Sequence, residues 1–289
     1  QIYNNRSKSK MKAQFENKVM SSLLLYIDNK ILSVGQAYTN HAGLFYPDKK
    51  NYYNGYYSYS APFKQLVSDQ SVTGANVLSG VYVGSSFTQS NVNINHYNGQ
   101  VFFNSDQGSS KISGNYAIKD FNVSMTSAPE QELLFETKFK LRPKVNQTIT
   151  GLDSDQQTFP SIFVKNMGGQ NEPFAFGGMD NTVIKARAII MSDSAYKLDA
   201  ATSILRDTAR DFFKIIEPSG LPFNALGLPA TGNGFNYTGV AAAGTYDTAY
   251  IGDTTITSNI PRLSNDNVNA SIYASFVDFK LETPRITTS

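Results

Sequence analysis

The segment 180–217 constrains the fold more than any other part of this chain. It opens with a strand-like run, Asn181-Thr182-Val183-Ile184-Lys185-Ala186-Arg187-Ala188-Ile189-Ile190-Met191, which Ser192-Asp193-Ser194 interrupts. An amphipathic helix is predicted from 195 to about 216. Leu198, Ala201, Leu205, Thr208, Phe212 and Ile215 share one helical face, with Arg206, Asp207, Arg210 and Asp211 largely off it. Ser194 or Asp193 is placed to cap the first turn, and Pro218 to stop the helix. A strand that feeds directly into a packed helix is scaffold. It carries no nucleophile, metal-ligand pair or phosphate loop.

The remaining text is mostly strand. At 289 residues the chain can bury a substantial core without disulfides, as one large β-rich domain or two smaller ones. A helix is predicted over about 9–32, with Met11, Phe15, Val19, Leu23, Ile27 and Ile31 on one stripe. From 35 to 127 the pattern is that of an antiparallel β-subdomain, with strands near 77–83, 115–118 and 121–125. Asn54-Gly55 and Asn98-Gly99 each stand between β-forming residues, the pairing that type I′ hairpin turns favour. A half-buried strand is expected over 133–141, ended by Pro143, then a polar loop over 145–158. After a short strand at 162–164, Gly168-Gly169 and Gly177-Gly178 are expected to bracket a turn-rich link. A long loop is expected over 221–258, with a hairpin near 249–257. The alternating run 271–281 is expected to pair with 181–191.

These elements define an α+β, β-rich fold. A mixed or antiparallel sheet is packed by one amphipathic helix (about 195–216), with an N-terminal helix (about 9–32) and an additional antiparallel β-subdomain. The expected organisation is 1–34 as basic arm and helix, 35–127 as β-subdomain, and 128–289 as the sheet-plus-helix core.

Composition excludes some chemistry. The net charge of +2, with 17% charged residues, gives no general affinity for polyanions. The absence of cysteine removes disulfides, thiolate nucleophiles and cysteine-ligated zinc. The most apolar run, 19–27, is shorter than the roughly 20 residues of a spanning helix, so no membrane role is expected.

Candidate chemical groups are sparse. His41 and His96 are the two histidines, far apart in sequence, and His96 beside a turn is expected at the surface. Asp153 and Asp155 lack the glycine and terminal glutamate of a calcium loop. Asp207 and Asp211 alternate with Arg206 and Arg210 and are expected to form salt bridges along the helix. No serine stands in a G-x-S-x-G elbow, and Gly232-Asn233-Gly234 lacks the rest of a phosphate loop. The tyrosines of 52–59 suit either sugar stacking or packing across a hairpin or subunit contact. Arg6, Lys8, Lys10 and Lys12 form the one local basic run, a possible contact for DNA or a protein partner. No enzyme, cofactor or metal is expected.

The words Arg6-Ser7-Lys8-Ser9-Lys10-Met11-Lys12-Ala13-Gln14-Phe15-Glu16-Asn17-Lys18, and those from Asp180-Asn181-Thr182 to Asp193-Ser194-Ala195-Tyr196-Lys197-Leu198-Asp199, resemble virion structural proteins of tailed bacteriophages. The likeness is strongest to contractile-tailed marine phages, and covers the first forty residues and 180–216. Strand, helix and C-terminal strand together are similar to the core of neck and tail-completion (tail terminator) subunits. The resemblance implies a non-enzymatic subunit of the virion that forms a ring, a hexamer, with copies of itself. It would join the head connector or portal adaptor to the tail tube or sheath, with DNA possible in the lumen. The loops 145–158 and 221–258 would reach neighbouring subunits, and the basic arm would face a neighbour or the DNA path. The region 35–127 is larger than a minimal terminator core and departs from that pattern. Two alternatives stand beside this reading. One is a baseplate, tail or fibre component that binds a receptor or glycan; the other is a hydrolase built on Asp153 and Asp155.

Overall fold

The computed structural model describes residues 14–53, 55–130, 133, 160–175, 179–223, 230–232, 234–243, 247–257 and 273–286. Its architecture is β-rich α+β, two sheets with helices packed between and against them. The first sheet has seven strands: β1 (Tyr38–Tyr53), β2 (Tyr56–Ser60), β3 (Val81–Val83), β4 (Ser86–Thr88), β5 (Val92–Asn95), β6 (Gln100–Phe103) and β7 (Ile112–Lys119), in the order β4-β3-β7-β1-β2-β6-β5. The second has six: β8 (Asn122–Thr126), β9 (Ser161–Ala175), β10 (Met179–Ser192), β11 (Phe212–Lys214), β12 (Thr248–Thr257) and β13 (Tyr273–Ile286), in the order β11-β12-β13-β10-β9-β8.

Helix α1 (Phe15–Ser33) lies where both sheets meet. Val19, Leu23, Ile27 and Ile31 from the expected stripe are buried, but so are Met20, Leu24, Leu25 and Leu32 around the rest of the helix. A helix apolar on so many sides is built for the interior. Most of these side chains join the core on one face of the second sheet, with Ile162, Ile184, Ala188, Ile190 and Phe279. Leu32 instead packs with Val67, Val72 and Ala117 under the first sheet. The expected helix start at 9 lies outside the described residues. Within them the first turn carries Glu16, favourable to the helix dipole, and Asn17 Oδ1 accepts a hydrogen bond from the Gln14 N–H at 3.2 Å.

The strand–helix unit is formed as its alternation requires. All fourteen residues of β10 pair antiparallel with β13, Met179 facing Ile286 and Ser192 facing Tyr273, so the expected pairing of 181–191 with the last strand is present. Helix α2 (Ala195–Arg206) is capped by Ser194, whose hydroxyl accepts from the Lys197 N–H at 3.2 Å. It buries Leu198, Ala201 and Leu205 against the same core as α1.

The helix does not run on to 216. It ends at Arg206; the chain turns through 207–210, with Arg210 at φ +70°, and continues as β11. The run Phe212-Phe213-Lys214-Ile215-Ile216 satisfies a strand as well as a helix, and pairing decides between them. The Arg210 N–H donates to Ile251 O at 2.8 Å, the Ile251 N–H to Asp211 O at 2.9 Å, and the Ile215 N–H to Asp247 O at 3.0 Å. Phe213, Ile215 and Ile216 are thereby buried.

Other expectations are corrected. The strand expected at 121–125 within the antiparallel subdomain is β8, and it pairs parallel with β9 in the second sheet. The glycines 168 and 169 do not begin a turn-rich link: β9 runs through them, with a register shift against Ile184–Ala186 and Gly168 at φ +92°. Glycine inside a strand marks a bulge here, where the extra residue needs a left-handed backbone. The β5–β6 hairpin is not a two-residue type I′ turn. Its connection is 96–99, with Gly99 alone in the left-handed region (φ +66°) and the Phe63 carbonyl oxygen where a Cβ would stand. The loop expected over 221–258 contains a short helix, α3 (Tyr237–Ala243), and all of β12, which is one strand rather than a hairpin. The expected strand 133–141 lies almost wholly outside the described residues, and the loop 145–158 entirely so.

Arg210 holds a left-handed backbone that costs a non-glycine residue about 1 kcal/mol. Arg210→Gly is therefore expected to raise stability by up to about 1 kcal/mol. Urea denaturation checks this: a higher midpoint at unchanged slope is the expected outcome.

Candidate functional site

Among the described residues, two concave places and one open face carry polar and exposed groups of the kind that chemistry or recognition would need. The first is a cavity of about 220 Å³ between α1, the end of β7 and residues 220–223, 230–232 and 234–235. Leu24, Val123, Phe223 and Phe235 supply its apolar wall, and Asp28, Ser68, His96 and Lys119 its polar groups.

The polar groups largely satisfy one another. Lys119 Nζ donates to both carboxylate oxygens of Asp28 at 2.7 Å, and both side chains are nearly buried. Burial pushes the Asp28 carboxyl up from its ordinary value, and Lys119 opposes that shift. The His96 ring is buried, not at the surface as its place beside a turn suggested, and Nε2–H donates to the Leu78 carbonyl at 2.9 Å. A carbonyl can only accept, so this fixes the neutral tautomer. Burial pushes the His96 pKa down to about 4, against the pull of that hydrogen bond.

Two more carboxylates tie α1 to its surroundings. Asp69, 1% exposed, accepts from the Ser71 N–H and hydroxyl, the Tyr237 N–H and the Asn29 side chain, at 2.7–3.0 Å. Asp211 accepts from the Tyr26 hydroxyl at 2.6 Å and from Lys30 at 2.9 Å. Burial pushes the Asp211 carboxyl up, but the Tyr26 and Lys30 hydrogen bonds outweigh it and the net shift is downward. The expected ladder of Asp207 and Asp211 with Arg206 and Arg210 is thus not what forms. Arg206 bonds its neighbour Asp207 at 3.2 Å, both exposed, and the early end of the helix sends Asp211 to α1.

The second concave place is an open groove of about 250 Å³ on the face of the second sheet away from α1. Arg187 is its centre, with Nε and Nη2 on Asp278 at 2.6 and 2.9 Å and Nη1 on Glu130 at 2.7 Å. Its guanidinium also lies 5.0 Å from the Phe276 ring centre. Lys280 pairs with Glu282 at 2.8 Å. Both cations are matched by neighbouring carboxylates.

The third place is the outer face of the first sheet. Phe87, Tyr82, Ser113 and Leu44 stand in one cross-strand row over β4, β3, β7 and β1. Tyr82 and Phe87 have ring centres 5.0 Å apart, and with Leu44 and Tyr46 they are exposed. Nearby, Asp48 accepts hydrogen bonds from Ser58, Ser60 and Gln100. In the tyrosine run, Tyr52 packs on Tyr57 across the β1–β2 hairpin with ring centres 4.9 Å apart, and Tyr59 is buried against Phe103 of the neighbouring strand β6.

Arg6, Lys8, Lys10 and Lys12 lie outside the described residues, as do Asp153 and Asp155. Among the described residues no cluster of three or more His, Asp or Glu is placed to hold a metal ion, and no helix is long and apolar enough to cross a membrane. Neither the Asp28–Lys119 pair nor the Asp69 hub has a local signature beyond one charged residue directly after the apolar run Leu24-Leu25-Tyr26-Ile27.

Two outcomes test the buried groups. Lys119→Met leaves the Asp28 carboxylate without its cation and is expected to cost about 3–5 kcal/mol. The double variant Asp28→Leu with Lys119→Met is expected to recover most of that loss in urea melts. For His96 the folded pKa of about 4 lies below the ordinary 6.5, so between those values the unfolded chain binds a proton that the folded chain does not. Its contribution is full above about pH 6.5 and falls away towards pH 4, by roughly 3 kcal/mol. Stability measured across that window is expected to fall less steeply in His96→Gln than in the parent.

No protein-family model, curated protein or solved structure matches this chain.

Proposed function

We propose that this chain is a structural virion subunit of a tailed phage, one that forms a ring at the neck as a tail terminator, between head connector and tail. The observation that carries the assembly part is the state of its β-surfaces. The outer face of the first sheet exposes Leu44, Tyr46, Tyr82 and Phe87 together, and the second sheet ends on both sides in strands only partly paired among the described residues. Exposed apolar faces and open strand edges are sites for other chains. The buried carboxylates and His96 serve to fix the fold around α1. The neck position itself rests on the resemblance of 1–40 and 180–216, a likeness of text rather than of site.

One observation favours a second reading, a tail or fibre module that binds glycans. The exposed rings of Tyr46, Tyr82 and Phe87 share a face with polar groups, and Asp48 with Gln100 lies beside them. Aromatic faces bordered by hydrogen-bonding side chains suit sugar rings.

Gold-labelled antibody on purified particles separates the two. Label at the head–tail junction, with no signal on a glycan array, is the expected result. Label at the host-facing end with glycan binding lost in Tyr82→Ala would replace the neck reading by the second, and absence of the chain from particles would overturn both.

A further inference from the structure

The two ends of the six-stranded sheet are complementary to each other. On one side, β8 covers β9 only over Ser161–Lys165, and no described strand lies beside β9 from 166 to 175. On the other side, β11 covers β12 only over 248–250, and no described strand lies beside β12 from 253 to 257. Among the described residues each edge is therefore a step, half covered and half open.

The registers show that the steps match. Met125, Val164, Ala188, Val277 and Ile256 form one level across β8, β9, β10, β13 and β12. Thr126, Lys165, Arg187, Asp278 and Thr255 form the next. Further along, Gln170, Val183, Glu282, Tyr250 and Phe212 form another across β9, β10, β13, β12 and β11. A second copy set beside the first without sliding thus brings the open part of its β12 against β8. The same placement brings its β11 against the open part of β9. The two short strands occupy different levels of one column, because β8 ends level with Lys165 and Phe212 is level with Gln170.

The chemistry at the step also matches. Met125 and Ile256 are on the face that α1 covers and would meet as an apolar pair; Met125 is 43% exposed in the single chain. Thr126 and Thr255 would meet on the opposite face, a hydroxyl pair that antiparallel strands favour. At the other half of the step, Phe212 is 66% exposed on an edge strand and Met167 is 44% exposed on the open part of β9. An uncovered edge bearing such side chains is a template for another strand.

We propose that copies of this chain join head to tail through this sheet, β8 pairing antiparallel with β12 of the next copy while β11 lies parallel to β9. The occupant of each edge is the opposite edge of a second copy. Such a contact uses two different surfaces, so it repeats and closes into a ring when the rotation permits. This deepens the assembly reading above and rests on it.

The chain has no cysteine, so introduced pairs report on this contact alone. In one molecule β8 and β12 are four strand spacings apart, about 19 Å, too far for an internal disulfide. The full chain carrying Thr126→Cys is combined in turn with Asp253→Cys, Thr255→Cys or Thr257→Cys, which spans a slip of two residues either way. Oxidation is expected to give a ladder of covalent multimers in at least one double variant and no adduct in any single variant, on non-reducing gels. Dimers from Thr126→Cys alone would mean a symmetric β8–β8 contact and overturn the head-to-tail pairing. A protein that light scattering shows to be oligomeric, yet with no adduct in any pair, overturns the edge pairing and leaves the assembly reading standing. A monomer with no adduct overturns the pairing as well. Absence of the chain from particles counts against the virion reading, whatever the gels show.

Discussion

A lysine and an aspartate that hold each other out of water set the frame for this protein. Asp28 belongs to a helix otherwise lined with leucine, isoleucine and methionine, and Lys119 ends a strand of the first sheet. Burying one such charge alone is prohibitive, so each requires the other at one place and in one orientation. The apolar residues of α1 could be buried in several rotations about the helix axis. The ion pair admits one, and Asn29 on Asp69 and Lys30 on Asp211 fix the following residues in the same setting. Hydrophobic burial supplies the driving force, and the polar contacts select among the packings it would allow.

Much of the second sheet was legible in the residues. The pairing of 181–191 with the described part of the last strand, 273–281, the Ser194 cap and the apolar face of 195–206 each have a local cause, and each is present. What could not be read depends on contacts distant in sequence. The residues 207–216 fit a helical stripe and a strand equally, and Ile251 and Asp247 decide the matter through the backbone. His96 beside a turn reads as surface until the Leu78 carbonyl and the cavity wall enclose it. Gly168-Gly169 reads as punctuation until β10 is seen to run past it as a bulge.

The polar interior and the exposed apolar face differed in the same way. Asp28, Asp69 and Lys119 have unremarkable sequence neighbours, and their meaning comes from partners 40 to 168 residues away. The exposed row on the first sheet needed the order β4-β3-β7-β1, which no local pattern encodes. By contrast Tyr52 and Tyr57 meet the hairpin expectation, because they face each other across the β1–β2 turn, whereas Tyr59 packs on the sequence-distant Phe103.

Because α1 lines the core of the six-stranded sheet and also lends Leu32 to a small cluster under the seven-stranded one, opening either sheet disturbs the packing of the other. Loosening the seven-stranded sheet uncovers Leu32 and strands Asp28 without Lys119. Loosening the six-stranded sheet uncovers Val19, Leu23 and Ile27 on the same helix. The two sheets are therefore coupled through one helix, while the seven-stranded sheet keeps a core of its own around Phe45, Leu78, Ile94, Val101 and Tyr116.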